Sequence, residues 1–256
     1  MVVTGGAQKF YDHWRNDNSK SKFLDEFPYQ LSLGINQRDR YSIPISVESR
    51  GKILVLESYE RMFHHLLLLR KGDKGSRQGV VITGQPGIGV CLNGFLPYAS
   101  IHQCIRSPGK TTFLSFLLAR LISLKQVVLL RSSDSGLLFY HGQVYSRPAA
   151  NSFTDLPIGH MNLPEDWYFP IWTLLDVDGS QAAPFITRGM NVWPIQASSP
   201  QPNRYASWRK QTGAALLGMP LWNMRELMEG YVFNFPVLAT SMGFVIDSPS
   251  PLQFTS

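Results

Sequence analysis

A run of β-branched residues that feeds straight into a glycine-rich loop constrains this chain more than any other feature. Gly79-Val80-Val81-Ile82-Thr83 is a short β-branched run, the pattern of a strand buried on both faces. Gly84-Gln85-Pro86-Gly87-Ile88-Gly89 follows at once. Glycines placed this way let backbone N–H groups converge on an anion such as a phosphate chain. A lysine and a hydroxyl should come next, and Val90 stands there instead.

The missing pair lies downstream. Gly109-Lys110-Thr111-Thr112 opens a stretch in which Phe113, Phe116, Leu117, Leu121 and Leu124 share one helical face. Removing residues 90–109 restores Gly84-Gln85-Pro86-Gly87-Ile88-Gly89-Lys110-Thr111-Thr112. That string satisfies G-x-x-x-x-G-K-[ST] between a strand and a helix, the context that makes the pattern specific. In such a loop Gly84 to Gly89 wrap the phosphates and Lys110 neutralises them. Thr111, with Thr112 beside it, supplies the hydroxyl for magnesium. The expected ligand is ATP, or another nucleoside triphosphate, with Mg2+.

Residues 90–109 are unlike their surroundings. They hold both cysteines of the chain, Cys91 and Cys104, and a single charged residue, Arg106, with no helical or strand periodicity. An intron retained and translated in frame would account for them, and genomic codons that forbid splice sites at their ends would exclude that origin. Whatever the origin, a phosphate cradle needs consecutive amides and a lysine already positioned on the first helical turn. The insertion is therefore expected to impair nucleotide binding.

Such an enzyme also needs an acid at the end of a buried strand. Ile171-Trp172-Thr173-Leu174-Leu175-Asp176 fits, with Asp176 for magnesium and Asp178 to orient water. An Asp at a strand exit is also an ordinary turn former. A further strand runs into Gln196-Ala197-Ser198-Ser199-Pro200, with Arg204 and Arg209 beyond it. The serines read as γ-phosphate sensors or as turn caps, the arginines as phosphate contacts or as a solvated face.

Periodicity predicts a helix over 53–70 and strands over 79–83, 127–130, 171–175 and 192–196. It also predicts a hairpin over 137–145 and helices over 204–217 and 222–230. His64 and His65 fall in the first helix, where adjacent side chains diverge, a spacing unsuited to a shared metal. Alternating strands and helices predict a three-layer α/β fold around a parallel sheet. Residues 1–52 read as a polar extension with weak local structure, 53–231 as the domain, and 232–256 as an irregular Pro- and Ser-rich tail.

Charge and cysteine content narrow the partners. Lys plus Arg exceed Asp plus Glu by 24 to 18 without forming a block, which suits phosphate ligands and permits nucleic acid without indicating it. Two cysteines make no disulfide framework, and the N-terminus has no charged start followed by an apolar stretch. An intracellular protein, cytoplasmic or nuclear, with no membrane partner is expected.

The chain resembles a fungal group of P-loop ATPases related to Crinkler and retrotransposon-hot-spot proteins. The matching segments are residues 56–62, 79–89, 171–176, Gln196-Ala197-Ser198-Ser199-Pro200 with Trp208-Arg209-Lys210, and Trp222-Asn223-Met224-Arg225-Glu226-Leu227. The resemblance implies an additional-strand P-loop NTPase core and ATP hydrolysis. The group's arginine after Ser-Ser-Pro is Gln201 here. Members continue well past the Glu-Leu helix, so the resemblance implies a truncated product, incomplete at the C-terminus. The alternative to an ATPase is a non-catalytic interaction protein that keeps the α/β scaffold.

Overall fold

The computed structural model describes residues 2–3, 5–16, 23, 26–34, 51–72, 79–84, 109–131, 135–148, 171–176, 192–198, 201–220, 225–226 and 228–230. Residues 90–108, Asp178, the expected loop after residue 148 and the tail lie outside them.

The chain begins with α1 (Gly6–Arg15), β1 (Tyr29–Ser32), β2 (Lys52–Val55) and α2 (Glu57–Gly72). β3 (Val80–Thr83), α3 (Gly109–Ser123) and β4 (Val128–Arg131) come next. They are followed by β5 (Ser135–Tyr140), β6 (Gln143–Pro148), β7 (Ile171–Asp176) and β8 (Val192–Ser198). The last are α4 (Ala206–Thr212) and β9 (Ala215–Gly218). Among the described residues, seven strands form one sheet in the order β6-β5-β4-β7-β8-β3-β9. From β4 to β9 all neighbours are parallel, and β4, β5 and β6 are joined antiparallel. The fold is α/β with a mostly parallel sheet.

Strand alternation sorts the core into two faces. Trp172, Leu174, Trp193, Ile195 and Ala197 share a buried cluster with apolar residues of α1, α2 and α3. Val81 and Leu175, on the other face, pack against Tyr205, Trp208 and Ala214 around α4. α3 was expected to bury one face, and it buries nearly all of itself: Phe113, Leu114, Phe116, Leu117, Ala119, Leu121 and Ile122 are fully enclosed. It lies between the sheet and the α1 and α2 helices, so its apolar residues are needed all round.

Helix ends are set by backbone chemistry. Lys125 takes a positive φ of 57° after α3. Its N–H donates to Ile122 at 2.8 Å and that of Gln126 to Leu121 at 3.0 Å, the paired bonds of a Schellman cap. Gly213, at φ 68°, ends α4 and its N–H donates to Arg209 at 2.8 Å. His141 and Gly142 both have positive φ, as the two-residue turn between β5 and β6 requires.

Three sequence expectations need correction. Residues 1–52 supply regular structure: α1 buries Ala7, Phe10, Tyr11 and Trp14, and the Trp14 indole donates to the Leu33 carbonyl at 3.2 Å. Gln8 clasps the β5–β6 turn, donating to Gly142 and accepting from Val144, both at 2.9 Å. The helix expected over 53–70 begins at Glu57, because Ile53, Leu54 and Val55 pair antiparallel with Leu31, Gln30 and Tyr29. The helix expected over 204–217 ends at Thr212, because Gly213 turns the chain into β9 beside β3.

Candidate functional site

Register aligns the carboxyl ends of the central strands. Thr83 of β3 pairs with Ser198 of β8 and with Gly218 of β9. Asp176 of β7 pairs with Ala197, one residue before Ser198, and Arg131 of β4 pairs with Leu175. β8 therefore stands between the strand that leads into Gly84 and the strand that ends in Asp176. In open parallel sheets, ligands bind beyond this edge of the strands.

α3 begins at the same edge. Its far end is fixed at the opposite one, where Gln126 accepts a hydrogen bond at 3.4 Å from the indole of Trp172, the second residue of β7. A 15-residue helix is roughly 22 Å long. That spans the sheet from edge to edge, so the first turn, with Gly109, Lys110 and Thr111, returns to the carboxyl side. Gly109 is already helical, so the helix starts one residue inside the segment read as inserted. The first-turn N–H groups have no partner within the helix and carry its positive dipole end.

The two hydroxyls of that turn differ in environment. Thr111 is partly exposed, whereas Thr112 is buried to 6% exposure. Ser115 donates to the Thr111 carbonyl at 3.0 Å and leaves the Thr111 side chain unused by that bond. Of the pair, Thr111 is the one with access to a ligand. A Thr111 hydroxyl and an Asp176 carboxylate are hard oxygen donors, which fits Mg2+ in chemical type.

Polar residues of the neighbouring strands also line up here, and among them Arg131 was given no role in the sequence reading. Gln196 is registered to both Val81 and Leu175 and is 1% exposed. Ser198 is 4% exposed, and the Thr83 hydroxyl donates to the Leu217 carbonyl at 3.4 Å. Arg131 is 6% exposed, and burial lowers its pKa. One signal could have found it: Arg131 ends an apolar strand just as Asp176 ends its own.

Other expected site residues are placed differently. Arg209 is exposed and its Nε donates to the Ala214 carbonyl at 3.4 Å, a bond that closes the end of α4. The backbone of Arg204 lies in a short 3-10 turn, Pro202–Arg204. Gly84 sits at the end of β3, whereas Gln85, Pro86, Gly87, Ile88, Gly89, Asp178 and Ser199 lie outside the described residues. No helix among the described residues is long and apolar enough to cross a membrane.

The helix that carries Lys110 and Thr111 is braced from outside. Arg120, on its last turn, lies 3.6 Å from Glu60 of α2, and its guanidinium stands 4.4 Å from the Phe23 ring centroid and 5.6 Å from that of Phe63. A half-buried ion pair between aromatic faces holds α2 and α3 in one arrangement.

Comparison with protein-family models, with curated proteins and with solved structures finds no match to this chain.

Proposed function

We propose that the carboxyl edge of this sheet binds the phosphates of ATP, or of another nucleoside triphosphate, and that the chain is built as an additional-strand P-loop ATPase. One observation carries the reading: β8 lies between β3, which runs into the glycine loop, and β7, which ends in Asp176, while α3 opens with Gly109-Lys110-Thr111 at that edge. In this reading Gly84 to Gly89 donate backbone N–H groups to the phosphates and Lys110 neutralises their charge. Thr111 and Asp176 hold magnesium, which would supply charge neutralisation for the leaving phosphate oxygens. Asp178 orients the attacking water. The partner is thus a nucleotide, and the Crinkler-related resemblance points the same way.

A second reading has its own support. The chain passes through residues 85–108 between Gly84 and α3, whereas a cradle needs its amides and its lysine in immediate succession. A scaffold that keeps the sheet but binds no nucleotide, and serves as an interaction protein, follows if that path cannot be looped out. Calorimetry of Mg-ATP with the full chain and with a chain lacking residues 90–109 separates the two. The shortened chain is expected to bind, and the full chain at least about tenfold more weakly, roughly 1.4 kcal/mol. Binding by the shortened chain alone favours the scaffold reading for the full chain, and binding by neither removes the ATPase reading.

A further inference from the structure

The two edges of the sheet are finished differently. At one, the start of the chain covers β6: Val2 is bridged antiparallel to Tyr145, the Val3 N–H donates to the Val144 carbonyl at 2.8 Å, and the Val144 N–H donates to Gln8 at 2.9 Å. At the other, β9 has β3 on one side and, among the described residues, no strand on its outer side. The N–H groups of Ala215 and Met219 donate to Gly79 and Thr83, at 3.0 and 2.6 Å. A strand residue sends its N–H and C=O to one side and its neighbours send theirs to the other, so those of Leu216 and Gly218 face away from β3. Leu216 is 38% exposed, Gly218 is exposed too, and a Cβ at Gly218 would meet nothing within 4 Å. The charges that usually guard such an edge are missing, since residues 212–222 carry none. α4 lies inboard, where Trp208 packs with Val81 of β3 and Leu175 of β7.

We propose that β9 is the seam of a homodimer, in which two copies of this chain pair their β9 strands antiparallel about a two-fold axis at Leu217. The seam does not depend on what the carboxyl edge of the sheet binds. A second copy has two sheet edges to offer, and its β6 is already taken at Val144 by Val3 and Gln8. β9 against β9 remains, a contact that closes on itself and adds no third copy. With the axis at Leu217, Leu216 of each copy stands opposite Gly218 of the other, and such a pair exchanges both of its outward backbone hydrogen bonds. Register partners project to the same face, so each Leu216 side chain lies over the open space at Gly218. On the opposite face the two Leu217 side chains, partly buried in each copy, meet directly across the seam. The uncharged edge sets no like charges against each other. Gly213 turns the chain out of α4 on one side and Pro220 lacks an N–H on the other, which confines the seam to a few residues. The dimer is therefore weak, with a dissociation constant on the order of 10–100 μM.

Sedimentation velocity of the full chain tests the seam. Between about 5 and about 300 μM the wild type should pass from mostly monomer to mostly dimer. Over the same range amide exchange at Leu216 and Gly218 should slow at least about threefold, while exchange at Leu217, whose N–H faces β3, stays constant. Leu216→Pro removes only an outward N–H, and Leu216→Lys sets like charges across the seam. Both should keep the fold, checked by near-UV circular dichroism, and raise the dissociation constant at least about tenfold. A wild type that stays monomeric to about 300 μM overturns the proposal. A dimer that both variants leave intact overturns it too, as does a ladder of larger species in place of a dimer. Should one variant fail to fold, the other variant and the exchange at Leu216 and Gly218 in the wild type still decide.

Discussion

Thr83 and Ser198 are register partners at the ends of β3 and β8. One residue back along β8, Ala197 is paired with Asp176 at the end of β7. Neighbouring strands lie about 4.8 Å apart, so the residue before the glycine loop, a buried hydroxyl and an acid end within about 10 Å of one another. No two of these three are close in sequence. Their alignment is a property of strand order and register, and it is what makes the edge a candidate site.

The two threonines of α3 should respond differently to loss of the hydroxyl. Thr111 is partly exposed at the helix start, so Thr111→Ala should reduce magnesium-dependent nucleotide binding at least about tenfold, with little change in melting temperature. Thr112 is buried to 6% exposure, so Thr112→Ala should cost about 1 kcal/mol of stability and leave binding within about threefold. Lys110→Ala should abolish binding outright. Equal binding losses at Thr111 and Thr112 would contradict the assignment.

Gly79 should not accept a side chain. Its φ is 121°, and a Cβ built there would lie 2.5 Å from the Pro194 carbonyl oxygen, a backbone atom that cannot swing aside. Gly79→Ala therefore combines backbone strain with a clash in the centre of the sheet and should cost about 2–4 kcal/mol in urea unfolding. A loss under about 0.5 kcal/mol would mean that β3 and β8 are not registered as described.

Alkaline stability should depend on Tyr59. Burial, then the charge of Glu226, raises its pKa above the ordinary 10.0. Below that ordinary value both states hold the proton and the contribution is fully present. As pH rises past it, the unfolded chain releases the proton while the folded chain retains it, so stability falls, at about 1 kcal/mol per pH unit from this residue. Tyr59→Phe should flatten the slope of unfolding free energy above pH 10. An unchanged slope would show that the phenol is not held in a dry site.

Part of this fold was legible beforehand. The strands expected at 79–83, 171–175 and 192–196 from their apolar runs form as β3, β7 and β8, and the apolar character of residues 113–122 marked a helix. α1 was legible too: Ala7, Phe10, Tyr11 and Trp14 stand at i, i+3, i+4 and i+7, but Lys9, Asp12, His13 and Arg15 between them make the segment read as polar. β2 and β9 carried no such signal. Ile53, Leu54 and Val55 are extended because of β1, and Ala215 to Gly218 because β3 needed a neighbour after Gly213 turned the chain.

Composition and periodicity alone determined that this chain alternates strands and helices, and that a glycine loop follows a short β-branched strand. Those signals are local, because side-chain period and glycine content act over a few residues. Tertiary structure decided which strands are neighbours, which residues share a level and which of two adjacent threonines can reach a ligand. Pairing between β3 and β8, or between β3 and β9, is a choice among distant segments made by the burial of whole faces, and no window of sequence contains it.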